Sequence, residues 1–134
     1  MLQFRMRGQV QRQPLTLSTN IIYMPQSMLN HVGTLTEVAI DTATAATLEV
    51  IAATAGQTIR IYKIFLFCGA ANTITLKNGS TNLMGAMAVT AGGGFVIDPD
   101  AGGHCPITLT SGNAFNILIG SSQQVSGRVW YIKE

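Results

Sequence analysis

Residues 58–68, Thr-Ile-Arg-Ile-Tyr-Lys-Ile-Phe-Leu-Phe-Cys, constrain most tightly what this chain can fold into. β-Branched and aromatic side chains crowd the run, and these suit a pleated, half-buried surface better than a helix. Its first half alternates, with Ile59, Ile61 and Lys63 on one side and Arg60 and Tyr62 on the other. Its second half, from Ile64 to Cys68, is apolar on both sides, the pattern of a strand entering a covered interior. The run reads as the central strand of an all-β domain.

The flanking sequence keeps a strand rhythm. Residues 34–40 alternate loosely before Asp41-Thr42-Ala43-Thr44 breaks them, and residues 47–53 place Leu48, Val50 and Ala52 on one side. Residues 72–77 alternate cleanly, with Ile74 and Leu76 inward. Asn78-Gly79 follows, the dipeptide best suited to the two positive φ angles of a type I′ hairpin. Residues 81–89 are expected to pair back, and Gly92-Gly93-Gly94 breaks the chain before Phe95-Val96-Ile97. Further strands are expected around Ile107 and Leu109, over 115–119 and over 125–132. That makes about eight strands with turn signals every ~8–12 residues, the spacing of a sandwich or barrel. A jelly-roll-like antiparallel β-sandwich over 34–134 is the expected fold.

Residues 1–33 break that rhythm. They carry Arg5, Arg7 and Arg12 with no acidic residue, so they are +3, while five basic and six acidic residues leave the remainder at −1. Pro14 and Pro25 interrupt the segment, yet Leu15, Leu17, Ile21, Ile22, Tyr23 and Met24 are apolar enough to need burial. An extended N-terminal arm is expected. It would dock either on a neighbouring subunit or partner surface, or as a leading edge strand and loop on its own domain. Those nine residues are the expected partner-contact set.

Charged residues make up only 10% of the chain, which suits a surface partly covered by neighbours. A net charge of +2 is too small to argue for nucleic acid or an anionic membrane. No stretch nears the ~20 apolar residues of a membrane-spanning helix. The polar, basic start lacks the apolar core of a signal peptide, so synthesis in the cytoplasm is expected.

Candidate chemistry is thin. Zinc needs about four ligands at set spacings, and His31, Cys68, His104 and Cys105 supply no such motif. Cys68 and Cys105 could form a disulfide in principle, but Cys68 reads as a small apolar residue ending a buried strand. His104 beside Cys105 would point to the opposite face of a strand, leaving a nucleophilic cysteine without its base. Gly92-Gly93-Gly94 lacks the Lys-Ser/Thr and helix of a phosphate loop. Asp98 and Asp100 lack the further oxygen ligands of a calcium loop. Ser121-Ser122 has no triad context, and core packing is the expected role of Trp130. The expectation is no enzyme, no catalytic residue, no metal and no cofactor.

One resemblance adds to this. Gly56-Gln57-Thr58-Ile59-Arg60-Ile61, Ile64-Phe65-Leu66, and 73–80 (Thr-Ile-Thr-Leu-Lys-Asn-Gly-Ser) run in the order of a recurring bacteriophage pattern. Leu83-Met84-Gly85, the Gly-rich run and Val125-Ser126-Gly127-Arg128-Val129-Trp130-Tyr131 continue it. The segment 55–131 resembles small structural proteins of tailed bacteriophages. The resemblance implies a jelly-roll sandwich and a cement (decoration) protein of the virion. Its expected site is the capsid exterior, on the outer face of the major capsid protein shell. Its expected partners are that protein and itself, as a homotrimer first and a dimer second, with no nucleic acid and no membrane. The alternative is a tail or fibre module for glycan binding or tail assembly. His104-Cys105-Pro106 stands where the pattern commonly has an aromatic.

Overall fold

The computed structural model describes residues 33–134. Every regular element among them is a strand: β1 (Thr36–Thr42), β2 (Thr47–Ile51), β3 (Ile59–Cys68), β4 (Asn72–Asn78), β5 (Thr81–Asn82), β6 (Met87–Val89), β7 (Gly94–Ile97), β8 (Ile107–Thr108), β9 (Phe115–Ile119) and β10 (Val125–Lys133). They form two antiparallel sheets. The first runs β1-β10-β3-β7, with β8 also on β3; the second runs β2-β9-β4-β5, with β6 also on β4.

The pairings are nested. β1 lies on β10, β2 on β9, β3 on β7, and β4 on β5 and β6. Such a chain is one long double-stranded ribbon with its bend between β4 and β5. Rolling the ribbon about a common core brings β10 against β3 and β9 against β4. That is a jelly roll, and it leaves two apolar inner faces to fill one core. The expected sandwich of about eight strands is therefore present, with β5 and β6 as one interrupted strand and β8 as a two-residue addition.

β3 is central, as its composition implies, and its long antiparallel neighbour is β10. The ladder continues past both strands: Thr58 N–H donates to the Glu134 carbonyl at 2.6 Å, and Glu134 N–H returns the bond at 3.0 Å. Arg60 ties the same end by pairing with the Glu134 carboxylate. Ile59, Ile61, Ile64, Leu66, Val125 and Val129 turn inward against Ile74, Leu76, Phe115, Ile117 and Ile119. Each is almost completely buried, and burying one such side chain stabilises the fold by about 1.5–3 kcal/mol.

The structure departs from simple alternation in four places. The β3–β10 register shifts between Trp130 and Tyr131, so Tyr62 is an extra residue on β3. The bulge resets the period, and Lys63 faces outward rather than sharing a side with Ile59 and Ile61. A second shift between Glu49 and Ile51 turns Ile51 inward and ends β2, leaving Ala52 exposed. The stretch 81–89 pairs back in two pieces separated by residues 83–86. At the hairpin, Asn78 pairs with Thr81, so the loop residues are Gly79 and Ser80. Gly79 has φ +60° and no non-glycine residue described has positive φ. A lone positive φ on the first loop residue is a type II′ turn, so the type I′ expectation is corrected.

Asn72 anchors the far end of β4. Its side chain is buried, its Oδ1 accepts from the backbone N–H groups of Thr73 and Ser121, and its Nδ2 donates to the Ser121 carbonyl. The Asn72→Ala variant is expected to lose about 1–3 kcal/mol, the cost of leaving part-buried backbone partners unmet. A urea unfolding midpoint lowered without a change in slope checks this.

Candidate interaction surface

The two outer faces differ. Across β2, β9 and β4, the register aligns Thr47, Leu118 and Thr75, then Glu49, Asn116 and Lys77, an ordinary polar face apart from Leu118. The outer face of the first sheet is different. Its register sets Glu37, Trp130 and Lys63 in one row, Ala39, Arg128, Phe65 and Val96 in the next, and Asp41, Ser126, Phe67 and Gly94 in the third.

Aromatic rings run diagonally over this grid. Phe65 meets Phe67 edge-on at 5.8 Å between centroids and Trp130 at 5.8 Å with a 39° tilt. Lys63 Nζ lies 5.9 Å from the Trp130 ring centroid. Phe67 is 51% exposed and Val96 53% exposed, while Phe65 and Trp130 are half-buried. A Cβ on Gly94 would collide with the Leu66 carbonyl and sit 2.7 Å from the Phe67 ring, so glycine leaves that ring room over the edge strand. Ion pairs frame the strip: Arg128 Nη1 is 3.1 Å from Glu37 Oε1, and Lys63 Nζ is 3.0 Å from Asp98 Oδ1. An open trough follows the strip, lined by Asp41, Phe65, Phe67, Ser126, Arg128 and Trp130.

Two sequence expectations are corrected here. Phe65 and Phe67 do not enter a covered interior, because a strand in the outer layer of a two-sheet sandwich has only one face on the core. Trp130 packs on the outside with Phe65 rather than in the core. The signal was present in the sequence: two aromatics at i and i+2 on the non-core face of the central strand. Periodicity alone does not say whether a second apolar face meets protein or solvent.

The remaining candidates separate. Asp98 turns to Lys63, while Asp100 accepts from the N–H groups of Gly102 and His104 at 2.9 Å and from the His104 ring at 2.8 Å. The His104 N–H and ring hold the Asp100 carboxyl below its usual range. His104 is therefore engaged with Asp100 and not with Cys105. Cys105 Sγ lies 3.0 Å from the carbonyl oxygens of Ile61 and Ile107, and burial pushes its thiol up. Cys68 is buried at the opposite end of β3, its thiol likewise pushed up by burial, and both cysteines are free. Among the described residues, no three His, Cys, Asp or Glu side chains gather as metal ligands. Ser121 Oγ donates to the Ala71 carbonyl and Ser122 Oγ accepts from Ala45 N–H, both bracing loops. The contact set Arg5, Arg7, Arg12, Leu15, Leu17, Ile21, Ile22, Tyr23 and Met24, like His31, lies outside the described residues.

No protein-family model matches this chain, and no curated protein or solved structure does either.

The thiol environments lead to a direct test. With both thiols held protonated above their ordinary range, alkylation at neutral pH is expected to be slow at Cys105 and absent at Cys68 until the protein unfolds. Raising the pH speeds Cys105 first, as its thiolate appears. Mass spectrometry of iodoacetamide-treated protein, native and in urea, reads both.

Proposed function

We propose that this chain is a structural virion protein, a cement (decoration) protein that binds the outer face of the major capsid protein shell and stabilises the head. The observation that carries this reading is the aromatic strip on the outer face of the first sheet. Four large apolar side chains, Phe65, Phe67, Val96 and Trp130, share one sheet face and only partly cover one another. A contiguous apolar patch framed by charged residues is a protein-contact surface by its physical chemistry, since water gains from its removal. Burying an exposed Phe or Val contributes on the order of 1.5–3 kcal/mol, and the flanking ion pairs set register more than affinity.

The role also fits the frame. A jelly roll holds this face rigid through one shared core, so docking costs little ordering of the strip itself. A shell-bound protein repeats many times on one particle, and a modest contact per copy suffices once copies touch one another. Self-association as a homotrimer, or a dimer, belongs to this reading. A second reading draws on the same trough: an exposed ring flanked by Asp41 and Arg128 also suits stacking against a sugar, the chemistry of a tail or fibre module.

Heads depleted of this chain and incubated with the purified protein distinguish the two. Saturable binding on the head exterior, seen by cryo-electron microscopy together with raised resistance of the heads to heat, is the expected result. The double variant Phe67→Asp/Val96→Asp is expected to bind heads at least tenfold more weakly while keeping its β-sheet circular dichroism. Unchanged binding by that variant removes the strip from the contact. Binding confined to tails or to arrayed glycans replaces the cement reading with the second one.

A further inference from the structure

We propose that Asn78 is a latent deamidation site, which the native hairpin holds unreactive and which marks any chain whose β4–β5 end has opened. Asn78 is the chain's only asparagine followed by glycine. Glycine leaves its own nitrogen unhindered and its backbone free to rotate, so in an Asn-Gly pair the backbone most readily attacks the side-chain amide. In that step the Gly79 nitrogen forms a bond to Asn78 Cγ, and the Cγ–Nδ2 bond breaks. The Gly79 N–H proton passes to the departing nitrogen, which leaves as ammonia. Water then opens the cyclic imide at either carbonyl, giving an aspartate or, with the main chain rerouted through the side-chain carbon, an isoaspartate. Water is the co-reactant, and nothing is oxidised or reduced.

The fold engages both reacting groups elsewhere. Gly79 N–H donates to the Ala114 carbonyl at 2.8 Å. Removing that proton would set a bare nitrogen lone pair against a carbonyl oxygen. Asn78 Nδ2 donates to Thr110 Oγ1 at 2.8 Å, and Asn78 Oδ1 accepts from Asn113 Nδ2 at 2.9 Å. Turning Cγ toward the Gly79 nitrogen breaks both bonds. Asn116 Nδ2 donates to the Gly79 carbonyl at 2.9 Å, so the glycine is held on both sides of its Cα. The Asn113 amide also lies 3.4 Å from where a Gly79 Cβ would stand. Segment 110–116 thus clamps the dipeptide, and its own turn is closed by Asn113 N–H on the Thr110 carbonyl at 3.1 Å.

The clamp has a weak side, and one product cannot restore it. β5 is a strand of two exposed residues, paired to β4 through Lys77 with Asn82 and Asn78 with Thr81. So short an edge strand belongs to the part of a sheet that opens first. After opening and conversion, an isoaspartate lengthens the backbone at the position that faces Thr81 on one side and Phe115 on the other. Its carboxylate sits directly on Cα, too short to reach Thr110 and Asn113 together, and Gly79 N–H is displaced from Ala114. An aspartate does fit, because the Thr110 hydroxyl and the Asn113 amide can both donate to a carboxylate. The isoaspartate is therefore the lasting mark of an opened hairpin.

The test incubates the full-length protein at mildly alkaline pH, native and in urea. Peptide mass spectrometry follows position 78, and enzymatic methyl-labelling identifies isoaspartate. Conversion is expected to be roughly tenfold or more slower in the native protein, because the bonds to Ala114, Thr110 and Asn113 must break together. In the Thr110→Val/Asn113→Ala variant, with its β-sheet circular dichroism retained, native conversion is expected to rise severalfold. The isolated isoaspartate form is expected to unfold at a lower urea midpoint than the Asn78→Asp variant. Equal conversion rates for native and urea-unfolded wild type overturn the proposal, whether or not the double variant folds. An unchanged native rate in a folded double variant overturns it as well, since protection then comes from elsewhere. Matching midpoints for the isoaspartate form and Asn78→Asp overturn the marking of opened chains.

Discussion

The structure depends on the ladder between β3 and β10. It is the longest pairing among the described residues, running from Cys68 opposite Val125 to Ile59 opposite Lys133, and it closes on the reciprocal bonds of Thr58 and Glu134. Because β3 and β10 lie far apart in sequence, their pairing closes a long loop, an entropic cost that only a large buried surface offsets. The inward residues of both strands supply it. Every other strand of the first sheet takes its register from this pair: β1 from β10, and β7 and β8 from β3.

The same ladder positions the aromatic strip. A sheet that puts Ile64 and Leu66 into the core must put Phe65 and Phe67 outside, since successive side chains alternate. The bulge at Tyr62 then sets the phase that brings Lys63 beside Trp130 rather than toward the core. Core and aromatic strip are thus two sides of one constraint. A change of phase in β3 would move both at once.

Much of the fold was legible in the sequence. The all-β class, the central strand, the spans over 72–77, 115–119 and 125–132, and the inward Ile74 and Leu76 follow from residue type and period alone. Three features were not. The two bulges were hidden because one extra residue changes register without changing composition. The II′ turn was hidden because Asn78-Gly79 supplies the glycine for either primed turn, and the strand pairing chooses which residues form the loop. The site was hidden for a related reason: Trp130 and Phe65 are remote in sequence, and Trp130 looks like any tryptophan of a terminal strand.

The sequence by itself determined that this chain forms short strands around one apolar core, with a basic, acid-free segment ahead of them. It also determined that reactive side chains are few and scattered along the chain. Tertiary structure alone decided which strands meet, and therefore that Glu37, Arg128, Phe65 and Val96 share a face with Trp130, Lys63 and Asp41. The physical reason is that period and propensity are local quantities, while a surface is built from residues that only long-range pairing brings side by side.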